Sequence, residues 1–586
     1  MTALQSATSR LVLAALLIAV CLSVPSSVLA NDLDSSEVEF PDRTDEGSFF
    51  APVVTFKHSG AFRFRSDLFG NRHLYSAPSP GTTGMLPPLS QNGQQSGLLT
   101  DSEERGFWTG GANMRLRWEP QLVVGERFNI YSQLDVLDNL VMGSTPSYHP
   151  DSPHTPLAFL SEGQQSPSAG TSSLTDAIRV KRVWATWLLA HTVEISGGRM
   201  PNHWGLGMIY NDGSCLDCDF GDNIDRLSFG GEFMDIRTML AWDFGASGAV
   251  YGENGVMSGQ PIDATRTDDV LQFTWDLHSG RSVANRGTEA APTAMAWGWR
   301  NVWRNQAAAS DIQDDIQTIP GCSNEPTPLE PDPTLNAVEE FECLVLRRRD
   351  AWLWTTDVFF SLDHRLSEGE HLRFEMELVG NLMGELGRTQ GLETVPSDKE
   401  VWAGGGVLRG TYEMPTERYS LELGFATGDE LGAFGVLDQS TVAVDDSVYQ
   451  DDTGLSYRKN NILSSLMFNR AYTVDLLMFR EAIGAVTNTV YIKPWVELAL
   501  FKIDDATFGS RLDVLYAAAM MPSGTPGNGA QLGIEPDLQL FLNVGERFRT
   551  VLEAGVLIPF SGLDDEERGR SAETAWTIQG RMHVTF

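Results

Sequence analysis

The chain has 586 residues and a formal net charge of −36, with 78 acidic against 42 basic side chains. This acidic balance argues against a nucleic-acid partner, because phosphate backbones are bound by basic surfaces. Beyond the N-terminus no stretch approaches the roughly 20 consecutive apolar residues that a membrane-spanning helix requires, which excludes a helical membrane protein.

The first 30 residues have the pattern of a secretory signal peptide. Arg10 precedes an apolar run from Leu11 to Val24, and a small-residue cleavage site ends at Ala30. A positive start, an apolar centre and such a site define this class of leader. We therefore predict cleavage near Ala30, an acidic segment over residues 31–53, and one folded domain over residues 54–586.

Apolar and polar residues alternate along many segments of that domain. In FKHSGAFRFRSDLFG, Phe62 and Phe64 alternate with Arg63 and Arg65, and the final stretch ETAWTIQGRMHVTF behaves in the same way. Strict alternation places the two sets on opposite faces of a β-strand. We predict about eighteen strands, at 54–69, 108–122, 128–139, 176–189, 192–202, 226–233, 236–247, 268–277, 292–305, 351–364, 371–383, 401–414, 418–428, 489–502, 509–521, 531–542, 548–560 and 573–586.

The predicted connections alternate between long and short. The pentapeptide VGERF occurs at 124–128 and again at 544–548, each time between two alternating segments, which predicts a favoured hairpin turn rather than a duplicated domain. The connection 278–291 is the exception, because it should be short and is not. A soluble sandwich would also alternate, but short turns opposite long loops and an even strand count are typical of membrane barrels.

Several motifs resemble known families. A chain that ends on a strand with a terminal Phe586 resembles the assembly signal of bacterial outer-membrane barrels. The stretches GGRMPNHWGLGMIYNDGSCLDCDFGDNIDR, VDLLMFREAIGAVTN and YIKP resemble an uncharacterised myxobacterial family of such barrels. LELGFATGD and LGIEPDLQL are more distantly similar to alginate-export porins.

The resemblance implies an all-β fold, a single-chain antiparallel transmembrane β-barrel of about 18 strands, with 16 as the alternative. Short turns would lie in the periplasm and long loops outside the cell. Its expected partners are outer-membrane lipid, lipopolysaccharide, the barrel-assembly machinery, which would recognise the strand ending at Phe586, and a small solute.

The charged set of each alternating strand would line the lumen. A barrel of this size encloses water, so opposed charges could orient a polar solute, or they could pair across strands and stiffen the wall. The candidate lining residues are Arg63, Arg65, Arg115, Arg117, Glu119, Arg179, Lys181, Arg373, Glu375, Arg409, Lys493, Glu497, Arg511 and Arg581.

Four cysteines follow the leader, and they fall in two local pairs. We predict disulfides between Cys215 and Cys218 and between Cys322 and Cys343, as expected in an oxidising envelope. The first pair lies in CLDCDFGDNID, an acidic stretch that can be read as a pinned loop without metal, as a Ca²⁺ site, or as a Zn²⁺ or redox site. The Ca²⁺ reading would use Asp217, Asp219, Asp222 and Asp225.

The long segment 429–488 contains LMFNRAYTVDLLMFREAIGAV, which is apolar enough to pack. We expect it to fold into the barrel as a constriction rather than to form an ordered surface loop. No GxSxG, HExxH or phosphate-binding loop occurs, so we predict neither an enzyme nor a cofactor. The predicted function is passive passage of small polar or charged solutes. The alternative is a non-conducting barrel that serves as an adhesin or scaffold with acidic loops.

Overall fold

The computed structural model describes most of the predicted domain and leaves out residues 1–52, so the leader and the acidic segment stay predictions. Described are residues 53–72, 74, 108–141, 178–190, 192–218, 221–245, 270–279, 286–311, 345–386, 399–429, 448–450, 456–458, 462–564, 566 and 569–586.

The described residues form a closed antiparallel β-barrel. The main sheet has 20 strands, of which Lys399–Val401 and Ile462–Leu463 are short additions. The other 18 strands form the ring: β1 Val54–Gly70, β2 Trp108–Val124, β3 Phe128–Val141, β4 Ile178–Ala190, β5 Val193–Pro201, β6 Asn223–Phe233, β7 Ile236–Gly245, β8 Val270–Ser279, β9 Thr293–Asp311, β10 Val345–Ser367, β11 Glu370–Leu386, β12 Ala403–Glu413, β13 Glu417–Ala426, β14 Thr489–Ile503, β15 Ala506–Ala519, β16 Gln531–Val544, β17 Phe548–Pro559 and β18 Ala575–Thr585.

The ring closes where the last strand pairs with the first. Ala61 of β1 lies opposite Thr585 of β18, and the pairing continues to Gly70 and Trp576. Closure leaves no free sheet edge, which would otherwise be a site of aggregation. Eighteen strands are therefore confirmed, and the alternative of 16 is wrong. A separate hairpin pairs Val448–Gln450 with Ser456–Arg458.

The two rims differ as the sequence predicts. At the turn rim, defined by the connections after β2, β4, β6, β8, β10, β12, β14 and β16, most turns are tight. Both VGERF copies lie there, and Gly125 and Gly545 have φ of 62° and 56°, a left-handed conformation that glycine adopts without strain. The opposite end, the loop rim, carries the longer connections.

The connection between β8 and β9 lies at the turn rim and is longer than the other turns there. The Gly287 N–H donates to the Asp363 carboxylate at 2.7 Å, and the Arg365 N–H donates to the Pro292 carbonyl at 2.8 Å. These contacts hold the described end of the connection against the turn after β10. The strand count is therefore unaffected by this exception.

The barrel is apolar outside and charged inside. Phe273, Leu538 and Leu552 are 45–52% exposed on the outer face, whereas Asp243, Asp357 and Glu377 are fully buried on the inner face. A sheet of a water-soluble protein would bury the apolar side chains and expose the charged ones. This inversion, together with closure, is the architecture of a transmembrane barrel. Within the described residues no helix is long and apolar enough to cross a membrane.

Candidate functional site

The candidate site is the lumen, into which two connections from the loop rim fold. The first inward segment, described over residues 202–218 and 221–222, joins β5 to β6. The second inward segment, residues 464–488, precedes β14. Both contribute to one buried apolar cluster with inner-face residues of the wall, including Met208 and Phe468 from the segments and Phe359 and Val407 from strands. The prediction that the 429–488 segment packs inward is confirmed for residues 464–488.

The inner face carries both apolar and charged side chains. Buried Val379, Val407 and Leu557 receive the inward segments. Solvent reaches part of the charged set, because Arg409 and Arg511 retain 27% side-chain exposure and Glu497 retains 18%. The lumen is therefore packed around the inward segments and partly solvated at these charged side chains.

Many inner-face charges pair with the residue directly opposite on the next strand. The Arg117 guanidinium donates two hydrogen bonds to the Asp135 carboxylate, at 2.8 and 2.9 Å. Arg226 pairs with Asp243 in the same two-bond geometry. Such bidentate pairs fix the orientation of both side chains. Part of the predicted lining thus stiffens the wall.

The predicted lining residues largely reach the inner face, in three groups. Arg373 and Arg409 bind Glu375, while Lys493 and Arg511 both bind Asp513. Glu119 accepts a hydrogen bond from Gln133, and Glu497 accepts one from Arg418. The side chain of Arg179 lies outside the described residues. The remaining group points at the first inward segment.

That group is the arginine wall, defined as Arg63, Arg65, Arg115, Arg117, Arg182 and Arg581 of β1, β2, β4 and β18. Arg115 donates to the Cys218 carbonyl at 2.8 Å, and Arg117 donates to the Gly213 carbonyl at 3.1 Å. Arg182 donates to the Asp212 carbonyl. Guanidinium groups of the wall therefore hold the main chain of the first segment by its carbonyl oxygens.

Arg182 is a residue that alternation missed. The register between β3 and β4 shifts there, so that Gln133 faces Arg182 while Leu134 faces Val180. Lys181 is the extra residue of this β-bulge, and Arg182 becomes buried. A bulge breaks the two-residue period, and nothing in the local sequence marks it.

The cysteine loop, Cys215 to Cys218, is closed by the predicted disulfide. Its Asp217 lies at the centre of four guanidinium groups: Arg480 at 2.8 Å, Arg581 at 3.0 Å, Arg65 at 3.8 Å and Arg63 at 4.0 Å. Burial alone would raise the pKa of Asp217, but these positive charges outweigh it and hold the pKa well below its usual range. Asp217 is therefore a carboxylate anion at any physiological pH.

The predicted Ca²⁺ ligands have separate partners where they are described. Asp217 binds arginines, and exposed Asp225 forms a two-bond pair with Arg199. Partly buried Asp222 accepts hydrogen bonds from the Asn211 N–H and the Asn469 side chain, and loss of hydration raises its pKa well above the usual value. Among the described residues no group of three or more His, Cys, Asp or Glu could hold a metal. Asp219, Cys322 and Cys343 lie outside them, so the Ca²⁺ site and the second disulfide stay predictions.

The second inward segment is held by carboxylates of the opposite part of the wall. Glu535 of β16 accepts hydrogen bonds from the backbone N–H groups of Leu476, Leu477 and Met478, at 3.0, 2.7 and 2.8 Å. These donors lead into a π-helix, Met478–Ile483. A helix start presents unpaired N–H groups and a positive dipole end, which a carboxylate satisfies.

A carboxylate of the segment itself completes this cap. Asp475 accepts from the N–H groups of Phe479 and Arg480, at 2.7 and 3.0 Å. Burial raises the pKa of Asp475 to about 6, although its two N–H donors act in the opposite direction. The side chain therefore changes its charge within the range of pH that bacteria encounter.

Two further wall residues clamp the inward segments. Arg300 of β9 lies 4.6 Å from the Trp204 ring centre and 5.1 Å from that of Tyr210, while two hydrogen bonds tie it to Asp276. Glu422 of β13 accepts a hydrogen bond from the Tyr472 hydroxyl at 3.3 Å. A cavity of about 10 Å³ beside Tyr210 and Leu466 has room for one water molecule.

Comparison with known proteins adds only distant likenesses. No family model and no curated protein matches the chain. Among solved structures, Pseudomonas aeruginosa OpdK, crystallised with vanillate, is 9% identical with a TM-score of 0.41, over 90% of this chain and 98% of that one. Pseudomonas aeruginosa OprD is 7% identical with a TM-score of 0.39, over 90% and 95%. Acinetobacter baumannii OccAB4 is 8% identical with a TM-score of 0.39, over 90% and 98%.

The class of the protein follows from its own strand pairing and side-chain burial. It is a closed 18-stranded antiparallel transmembrane β-barrel with a charged inner face. Two inward segments narrow its lumen, and charged side chains of the wall hold both of them.

Proposed function

We propose that the protein is an outer-membrane channel for the passive passage of small polar or charged solutes. The observation that carries the proposal is the charged, partly solvated inner face of a closed 18-strand barrel. Barrels of 16–18 strands are wide enough to leave an aqueous channel. The turn rim would face the periplasm and the loop rim the outside. The likenesses to the myxobacterial family and to alginate-export porins supply no solute and remain expectations.

Liposome swelling tests this function with solutes of graded size. Full-length mature protein, refolded into liposomes, should admit small charged or polar solutes and exclude larger ones, because the inward segments narrow the lumen. Heat-modifiable gel mobility would verify folding in the same sample. If folded protein admitted no solute at all, the channel would be wrong and the alternative of a non-conducting adhesin or scaffold barrel would be favoured.

The membrane position of the outer face has its own test. Leu552 of β17 is 52% exposed on that face, so Leu552→Arg should destabilise the barrel in lipid by about 2–4 kcal/mol if it lies near the bilayer centre. Glu546→Arg, in the turn between β16 and β17, is the matched control and should change little. Equal folding yields of the two variants in lipid vesicles would contradict a lipid-facing position.

A further inference from the structure

Two carboxyl groups of the inner face are completely buried and form no ion pair with any described residue. Asp357 of β10 and Glu377 of β11 are both 0% exposed. Among the described residues, none donates a hydrogen bond to either oxygen of Asp357 or to Oε1 of Glu377. Charged groups held away from water without a partner are strongly disfavoured. The pair therefore requires a positive charge or a proton.

The two groups lie within hydrogen-bonding reach of each other. An ionised carboxylate accepts hydrogen bonds and cannot donate one, so two facing carboxylates repel. When one of them is protonated, its O–H donates to the other, and two acidic groups that share a site behave in this way. A single proton would therefore satisfy both Asp357 and Glu377.

The neighbouring side chains do not replace that proton. Arg300 faces Asp357 from β9, but two hydrogen bonds tie its guanidinium group to Asp276. Opposite Glu377, β12 places the apolar Val407. The titratable and charged groups that face the pair are Arg300 of β9, Asp276 of β8, Tyr210 of the first inward segment and Tyr472 of the second.

A metal ion would find too few ligands at the same place. The pair offers three oxygens that lack donors, whereas Ca²⁺ takes about six to eight oxygen ligands. Water cannot complete the set, because Asp357 and Glu377 are 0% exposed. A proton needs only two facing oxygens, and the geometry favours it.

The first inward segment covers the pair. The Leu206 N–H donates to Oε2 of Glu377, and the Trp204 ring packs edge-on against Phe359, with 5.2 Å between the ring centres. Gly205 has a φ of 57°, and a Cβ atom there would lie 2.7 Å from Oε2 of Glu377. The main chain at residues 204–206 therefore rests directly on the carboxyl group and separates the pair from the lumen.

We propose that Asp357 and Glu377 share one proton, and that this proton holds residues 204–206 against the wall. The pair then carries a single negative charge, which faces Arg300. Loss of the proton leaves two negative charges in a place without water, and movement of residues 204–206 away from the wall admits water to them. The lumen therefore widens at alkaline pH. The widening rests on the proposed channel function, whereas the shared proton does not.

Amide substitution tests the proton directly. In Asp357→Asn the side-chain N–H₂ takes the place of the O–H and donates to Glu377 at every pH. The folded wild type holds a proton that the unfolded chain releases above an ordinary carboxyl pKa of about 4, so this stabilisation is lost as pH rises. Between pH 5 and pH 9 the melting temperature in detergent, followed by heat-modifiable mobility, should fall by roughly 2–4 °C more for the wild type than for Asp357→Asn.

Glu553→Gln is the matched control, because it converts an inner-face carboxyl group that already has a donor, Gln539, to an amide. Its melting curve against pH should run parallel to that of the wild type. A curve of Asp357→Asn that also ran parallel to the wild type would refute the shared proton.

A second variant covers the case in which Asp357→Asn does not fold. Glu377→Gln keeps an oxygen for the Leu206 N–H and presents its amide to Asp357, so it should lose the same part of the pH dependence. Failure of both variants to fold would also refute the proposal, because an amide reproduces the hydrogen bond of a protonated acid. Destabilisation of the wild type by EDTA, reversed by Ca²⁺, would replace the proton by a metal ion and overturn the proposal.

Conductance separates the proton from the channel. Single-channel conductance of the wild type should rise between pH 7 and pH 9, and that of Asp357→Asn should rise less. The predicted melting behaviour in a protein that never conducts would keep the shared proton and remove the channel. Conduction with parallel melting curves would keep the channel and remove the proton. Conduction that changes equally with pH in both proteins would refute the widening.

Discussion

The two inward segments reach the same lumen, and most of the wall contacts to their main chains differ in kind. The cysteine loop of the first segment is bound through carbonyl oxygens by the arginine wall, as Arg115 binds Cys218, although Glu377 also accepts a hydrogen bond from the Leu206 N–H. The second segment is bound through N–H groups by a wall carboxylate, as Leu477 is by Glu535. Guanidinium groups keep their charge at every physiological pH, whereas buried carboxyl groups do not. The comparison teaches that the arginine contacts of the first segment persist at every physiological pH, whereas the carboxyl contacts of the second segment depend on pH.

The largest loss of stability should follow from removing the Glu535 carboxylate, which holds the second segment in the lumen. Glu535→Ala leaves three buried N–H donors without their acceptor, at a cost of about 3 kcal/mol or more. The second segment should then leave the lumen, and trypsin should cut after Arg470 and Arg480, which mass spectrometry of the fragments would detect. Glu553→Ala, on the inner face of the neighbouring strand and bonded to Gln539, is the control. Identical fragment patterns would show that Glu535 does not anchor the segment.

The contribution of Asp475 to stability, about 3 kcal/mol, should depend on pH. Asp475 has a pKa of about 6 when packed and an ordinary value of 3.8 when released. A raised acid pKa means that the packed state binds more protons between these values, so its stabilisation is complete below about pH 4 and is lost as pH rises to 6. Wild-type protein should therefore gain stability relative to Asp475→Asn on acidification from pH 7 to pH 4.5.

The melting temperature of both proteins, measured across that pH range, gives the difference. Comparing the two removes the contribution of titrating groups that do not interact with Asp475, while Glu535 and Asp537, which do interact with it, respond together with it. Parallel curves would mean that Asp475 does not couple the second segment to pH. The first segment offers the contrasting case, because the Asp217 anion stays charged throughout the same range.

The smallest loss of stability should come from removing a single wall arginine that binds the first segment. Arg115→Ala removes donors to the Cys218 and Leu216 carbonyls, a loss of about 2 kcal/mol, and Arg63, Arg117 and Arg182 still hold the loop. Reduction of the Cys215–Cys218 disulfide by dithiothreitol should become several-fold faster, because the loop opens more often. Arg199→Ala, whose arginine is exposed, serves as the control, and equal reduction rates would contradict anchoring by Arg115.

Sequence periodicity predicted the barrel well because its information is local. All eighteen predicted strands overlap the observed ones, since each alternation is visible within one segment of the chain. The exception at 278–291 also proved to be a true connection of the turn rim. The disulfide between Cys215 and Cys218 could be predicted for the same reason, as its partners are three positions apart.

The site was less predictable because its contacts join distant parts of the chain. Asp217 was grouped with neighbouring aspartates as a metal ligand, yet its partners Arg65, Arg480 and Arg581 lie far away in sequence. Glu535 alternates like any inner-face residue, and only the packing of the second segment makes it an anchor. Local alternation identifies the face of the strand on which a charged residue lies. It does not identify the residues, distant in sequence, that contact this residue in the fold.

Single-channel recording of the refolded mature protein, in a planar bilayer under a potassium chloride gradient, tests the central claim most directly. The account predicts discrete conductance steps, because solvent reaches charged side chains of the inner face such as Arg409 and Arg511. Absence of steps from protein that heat-modifiable mobility shows to be folded would contradict the channel.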